Sequence, residues 1–294
     1  MGTDPIDVAI ITRERRGDVI EAVRSVLSDL GSDDAVHVLE NGCSQRSTEG
    51  LEDLFPTVRW HRVSENLGVA GGRNWLLEHT DRPVVAFVDD DATLQPGSLE
   101  RVRRAFAGAG ALGAVAFRID DPETGTPRSH EYPFKGTAGV DDERPATYFV
   151  GAGFALRREA TEEVGGFDGR LFYALEELDL SFALIEAGWR IRYLPTARVV
   201  HHASPAGRPG GQKVYFMVRN RLVVAGKWLP LRYRVSQIVM WGSLWLLRAV
   251  RARQVRHWLR GIRDGRRMAT ESKRSPLDRD AIAHLRAHGG RLWY

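Results

Sequence analysis

A single cysteine, Cys43, stands in 294 residues, and only four lysines (Lys135, Lys213, Lys227 and Lys273) stand among 42 basic side chains. One cysteine excludes an internal disulfide framework and fits a reducing compartment. Arginine in place of lysine reads as genomic base composition, not as function. The first twenty residues carry Asp4 and Asp7 and hold no long apolar run ahead of a cleavage site, so no secretory signal is expected. Val235–Leu247 is uncharged but only 13 residues long, short of the roughly 20 that a spanning helix needs. Internal repeats and low-complexity tracts are absent too. The expected location is cytoplasmic, at most peripheral at the inner face of the membrane.

Acid is scarce in one part of the chain. From His201 onward there are 20 Lys and Arg against 4 Asp and Glu, whereas residues 1–200 hold 22 against 34. The overall net charge of +4 therefore hides an acidic body and a basic tail. Such a body disfavours a nucleic-acid groove, and such a tail favours an anionic surface such as a membrane.

What is present is an ordinary globular balance, 43% hydrophobic and 27% charged, able to fill a sizeable core. Short apolar runs alternate with helical spacing. Val8–Ile11, Val36–Leu39, Val58–Val63 and Val84–Val88 read as strands; Gly17–Leu30, Leu51–Leu54 and Gly72–His79 read as helices. This order predicts a parallel, doubly wound sheet with right-handed crossovers, whose ligands lie at the carboxyl ends of the strands. Asp120–Pro145 reads as a loop with a hairpin. Thr147–Leu156 reads as a strand interrupted by Gly151 and Gly153, followed by a helix at Leu178–Ala187 and strands at Arg190–Tyr193 and Arg198–His202. From Val214 the pattern is helical and basic. Trp228, Trp241, Trp245 and Trp258 with flanking arginines suit either a helix in the membrane interface or a helix pair packed on the catalytic domain or a dimer partner.

Four clusters bear chemistry. Asp89-Asp90-Asp91 follows a buried strand, and three adjacent acids repel unless a cation or hydrogen bonds compensate. Asp89 and Asp91 share a face of extended backbone, which suits a hard divalent ion; an acidic turn ahead of the helix opened by Pro96-Gly97-Ser98 is the alternative. Asn66 through Asn74 is glycine-rich and ends in Arg73-Asn74, suited to a phosphate or a buried acid, or else a tight turn with a structural arginine. Glu176-Glu177-Leu178-Asp179 opens a helix, where carboxylates are common and where a general base could also sit. His201-His202 ends a short strand and is a metal ligand only if the fold carries it to the aspartates.

In order, Val8–Thr12 with Arg13, Val36–Ser44, Asn66–Asn74, Phe87–Asp91, Gly151–Gly153, Gly165–Asp168, Glu176–Leu180, Ala187–Trp189 and Pro195–His202 resemble the family 2 glycosyltransferases of the GT-A fold, especially their rhamnosyltransferase-like branch. The resemblance implies a Rossmann-like mixed α/β sheet flanked by helices over residues 1–225, with residues 226–294 as a basic helical extension. It implies an inverting transfer from a UDP- or dTDP-sugar to a glycan, a lipid-linked or a small-molecule acceptor. Thr12, Arg13, Glu40 and Asn41 would meet the nucleoside. Asn66, Gly71, Gly72, Arg73 and Asn74, with Asp89 and Asp90, would shape the donor pocket. Asp91, Asp89 and His201 would hold Mn²⁺ or Mg²⁺, and Gly151, Ala152 and Gly153 would line the acceptor side. Glu177 is the implied general base, with Glu176 and Asp179 the other candidates.

Two positions depart from the family pattern: Glu40 and Glu177 stand where it usually has aspartate. A shift of about an ångström in a carboxylate can cost roughly 10²-fold in rate. A non-catalytic nucleotide-sugar or glycan binding partner of the same fold is therefore the alternative. A sugar nucleotidyltransferase is less consistent, because Arg13-Glu14-Arg15-Arg16 brings neither a lysine nor a glycine-rich run. A homodimer through the tail is a further expectation.

Overall fold

The structure is a computed structural model that describes residues 4–43, 49–128, 131–134, 139–203 and 212–293; Ser44, at the end of the second motif, lies outside them. Its first half alternates strand and helix: β1 (Ile6–Thr12), α1 (Arg16–Leu27), β2 (Ala35–Asn41), α2 (Leu51–Leu54), β3 (Val58–Val63), α3 (Gly68–Glu78) and β4 (Val84–Val88). Then come β5 (Ala92–Leu94), α4 (Ser98–Phe106), β6 (Leu112–Asp120), β7 (Arg144–Ala146), β8 (Gly153–Arg157) and α5 (Arg158–Glu163). A short 3-10 turn (Gly169–Leu171), α6 (Glu176–Glu186) and β9 (Arg190–His201) precede four helices, α7 (Gln212–Trp228), α8 (Leu231–Arg251), α9 (Val255–Glu271) and α10 (Arg279–Ala287).

The strands form one sheet in the order β3-β2-β1-β4-β8-β6-β9-β5, with β7 pairing on β9. β3, β2, β1 and β4 are parallel, as their crossover helices require. β8 is antiparallel to both β4 and β6, so the sheet is mixed. The parallel reading thus holds for the first four strands and stops where β8 enters. Period-two alternation feeds two cores: Val84, Ala86 and Val88 pack with α1 and α4 on one face, while Val85 and Phe87 pack with α3, α6 and α7 on the other.

Several elements differ from their sequence reading. α3 begins at Gly68, a turn earlier than the glycines suggested, and only the end of 147–156 is strand. The two strands read at 190–193 and 198–202 are one, β9. Its ladder with β6 slips between Phe117/Arg118, so Pro195, which has no N–H to donate, is absorbed in an irregularity. β6, the partner that makes β9 continuous, was not anticipated. The expected hairpin begins at the antiparallel bridge Asp120–Pro127; residues 129–130 and 135–138 lie outside the described residues.

The C-terminal helices are tied to the sheet domain. Lys227 Nζ and Trp228 Nε1 at the end of α7 donate to Asp179 on α6 at 2.9 and 2.6 Å. No helix among the described residues is long and apolar enough to cross a membrane.

Candidate active site

The carboxyl ends of β1, β2 and β4 open into a cavity of about 940 Å³, closed on the far side by α7 and the start of α6. Strand pairing brings the acidic cluster and the distant histidine together. β5 pairs antiparallel with the end of β9, in register Ala92 to His201, and His202 N donates to Asp91 O at 2.9 Å. Asp89, Asp91 and His201 then each offer a ligand atom within 4.8 Å of the others.

The donor set fits a divalent ion. His201 is buried, its Nδ1 is 3.1 Å from Glu131 Oε1, and its Nε2 lies 3.3 Å from Asp91 Oδ1 with no well-aligned hydrogen bond. A buried nitrogen aimed at a carboxylate and backed by a second acid is the usual support of a metal-binding imidazole. Burial opposes charge on that ring, but the adjacent Asp91 and Glu131 carboxylates outweigh it and hold its pKa up to about 10. Asp90 faces the other way, toward Arg15, whose Nη1 is 2.7 Å from Asp90 Oδ1 and 3.1 Å from Asp91 Oδ2. Burial still pushes Asp90 up to about 7, with Arg15 opposing.

Arg73 is the hub of the second half. It is buried on α3 beneath the rings of Phe154 and Phe167. Its Nη1 is 3.1 Å from Glu176 Oε1 and 3.4 Å from Glu177 Oε1, while Nη2 donates to Gly151 O at 3.2 Å and lies 3.6 Å from Asp89 Oδ1. One guanidinium therefore links the aspartate cluster, the glycine turn at 151–153 and the acidic start of α6. A Cβ at Gly151 would stand 2.5 Å from Glu177 Oε1, so glycine is required for that approach. Burial, and then the charge of Glu177, raise the Glu176 carboxyl to about 8, Arg73 pulling it back.

The remaining candidates divide. Arg13, Asn41, Asn66, Ala152 and Glu177 line the cavity with those above. Asn41 bridges Leu67 N and Gly68 O at 2.9 Å each, and so fixes the glycine-rich turn; Gly68 itself has φ +71°, and a Cβ there would strike Phe172 O. Asn74 bonds Phe167 N and O at 2.9 and 2.8 Å instead of facing the cavity. Gly71, Gly72 and Gly153 are packing positions at the edge of the site, Gly72 against Ile11 and Gly153 against Val199 and Phe117. Thr12 and Glu40 are buried in register at the ends of β1 and β2, and Glu40 Oε2 accepts from Arg62 at 2.8 Å. Asp179 turns away, to Lys227 and Trp228. Arg15 and Glu131 were missed. The arginine run 13–16 held a signal for the first; Glu131, in an irregular stretch, gave none.

A sheet of this topology, with carboxylates and an imidazole gathered at its strand ends, is the architecture of nucleotide-sugar transferases of the GT-A fold. The chain belongs to glycosyl transferase family 2, whose sequence profile matches residues 7–165. The aspartate cluster falls inside that span; Glu176, Glu177 and His201 fall beyond it. It is 28% identical over 244 residues to the N-acetylglucosaminyl-diphospho-decaprenol L-rhamnosyltransferase of Mycobacterium tuberculosis, covering 70% of this chain and 79% of that one. The mannosyltransferase PcManGT from Pyrobaculum calidifontis, solved with GDP-Man and Mn²⁺, superposes with a TM-score of 0.60 at 15% identity, over 98% of this chain and 80% of that one. GalNAc-T7, solved with UDP, GalNAc and Mn²⁺, gives 0.64 at 14% identity over 80% of this chain, which spans about half (51%) of that one. The protein is thus an enzyme that transfers a sugar from a nucleotide-sugar.

Proposed function

We propose that the chain is an inverting glycosyltransferase that uses a UDP- or dTDP-sugar, a divalent ion on the diphosphate and Glu177 as general base toward a lipid-linked glycan acceptor. The observation that carries this reading is the pairing, across one cavity, of the Asp89–Asp91–His201 donor set with Glu177, both tied to Arg73. The likeness to a rhamnosyltransferase of a diphospho-decaprenol substrate supports the acceptor class.

Mn²⁺ or Mg²⁺ held by Asp91, Asp89 and His201 would supply Lewis-acid charge to the departing diphosphate. The side chains do the rest. Arg13, at the β1 end, is poised for the nucleoside, with Asn41 holding the glycine-rich turn beside it and Thr12 and Glu40 behind fixing the wall. Glu177 is only partly buried, at 19% side-chain exposure, so it alone of the acids at the start of α6 is open to an acceptor hydroxyl. Taking that proton while the oxygen attacks the anomeric carbon, opposite the leaving phosphate, inverts the centre in one displacement.

Thermal unfolding with UDP, dTDP, GDP or CMP, with and without Mn²⁺, tests the donor half. Ligand at about 100 times its Kd adds roughly 2.7 kcal/mol. One nucleotide should stabilise the protein only with Mn²⁺, and Asp91→Asn should abolish the effect. Stabilisation by none would overturn the donor half of this reading.

A further inference from the structure

Outside the cavity, the outer surface of the α8–α9 pair exposes a run of apolar side chains. We infer that this surface docks the enzyme on an anionic phospholipid bilayer. α8 exposes Val235, Val239, Leu244, Leu247 and Val250, with Val239 60% and Leu247 56% accessible. Among the described residues, exposed large apolar side chains outside α8 and α9 are isolated, as at Leu54 on α2; here they follow one another along a single helix. α8 carries no acid at all, only arginines at its two ends.

α9 supplies the complement. Its buried positions, Gly261, Asp264 and Gly265, pack against α7, as the close approach of Gly261 to Tyr215 O and of Gly265 to Arg219 O shows. That orientation turns Arg256, Arg263, Arg266 and Arg267 outward, with Leu259 among them. An apolar stripe on one helix beside a row of guanidiniums on the next fits an interface where acyl chains lie under phosphate headgroups. A second copy of the chain fits worse, because a symmetric contact would set the same arginines against themselves.

The surface also adjoins the site. Arg260 of α9 lines the cavity, and its neighbour Leu259 belongs to the outward face. Docking would hold the cavity mouth near the bilayer. The inference does not depend on which acceptor the enzyme uses, since binding to lipid is read without turnover.

The test is co-sedimentation of the full chain with vesicles of phosphatidylcholine alone or mixed with phosphatidylglycerol. The wild-type chain should sediment with the anionic vesicles and be released by salt. Val239→Glu with Leu247→Glu, and separately Arg256→Glu with Arg266→Glu, should each weaken binding about tenfold or more. Both pairs change exposed side chains, so melting temperatures should hold, and Leu54→Glu should bind like wild type. Failure to sediment, equal binding to neutral vesicles, or full binding by both double variants would overturn the inference. So would a dimer in light scattering that Val239→Glu with Leu247→Glu dissolves in a chain that ignores vesicles.

Discussion

Asn220 Nδ2 on α7 lies 2.6 Å from Ala174 O, and the same amide also reaches Leu171 O and Tyr173 O at 3.0 and 2.8 Å. It thereby clamps the turn that delivers Glu176 and Glu177. That turn is strained: Phe172, Ala174 and Leu175 all have positive φ, at 63°, 67° and 70°. Side chains in such conformations cost of order 1–3 kcal/mol each and persist only where neighbours over-determine them.

Asn220→Asp keeps the shape and removes the donors. We expect a stability loss of about 2–3 kcal/mol from carbonyls left unpaired. Because the base would also drift, kcat should fall about 10- to 100-fold while donor binding changes little. Urea unfolding and steady-state kinetics check the two halves; unchanged kcat would show that α6 needs no clamp.

Asp179 is expected to be structural. It is buried, with Lys227 and Trp228 as partners, and it ties α7 to α6. Asp179→Asn should lower stability by about 1–3 kcal/mol through a weakened buried ion pair. Turnover per folded molecule should stay near wild type. A large fall in kcat at full stability would return Asp179 to the list of bases.

Much of this was legible in the sequence, for identifiable reasons. Strands buried on both faces leave unbroken apolar runs, and Val84–Val88 matched its observed bounds. The polar clusters fell at strand ends because a parallel sheet puts ligands there. Convergence was not legible. His201 reaches Asp91 only through the pairing of β5, three residues long, with β9, and the Arg73–Glu176 contact spans 103 positions. Glu131 had no periodic neighbours to mark it. Nor could residue types separate Glu177 from Asp179, two positions apart on one helix but different in burial and partners.

Glu176 gives a pH dependence. One buried cation, Arg73, faces Glu176, Glu177 and Asp89, so the carboxylates are in excess. Burial and Glu177 raise Glu176 from 4.5 to about 8. A folded-state pKa above the unfolded one gives stability that is complete below pH about 4.5 and is lost as pH rises through about 8. Between those limits, the melting temperature of the wild-type chain should fall relative to that of Glu176→Gln, which cannot titrate. No change in that difference between pH about 4.5 and 8 would mean Glu176 is already ionised against Arg73.

Glu177 is the proposed base because of its reach. Glu177 lines the cavity beside Gly151, and its one oxygen shared with Arg73, at 3.4 Å, leaves the other for a hydroxyl. Glu177→Gln preserves the shape and the contact to Arg73 but cannot take a proton, so donor binding should survive while kcat falls by about 10² or more. Glu177→Asp keeps a carboxylate but shortens the arm by about one methylene, so partial activity is expected. Nucleotide-dependent melting and single-turnover transfer separate binding from chemistry. Normal turnover by Glu177→Gln would remove Glu177 as the base, and Glu176→Gln, examined the same way, would then decide whether the neighbouring acid takes its place.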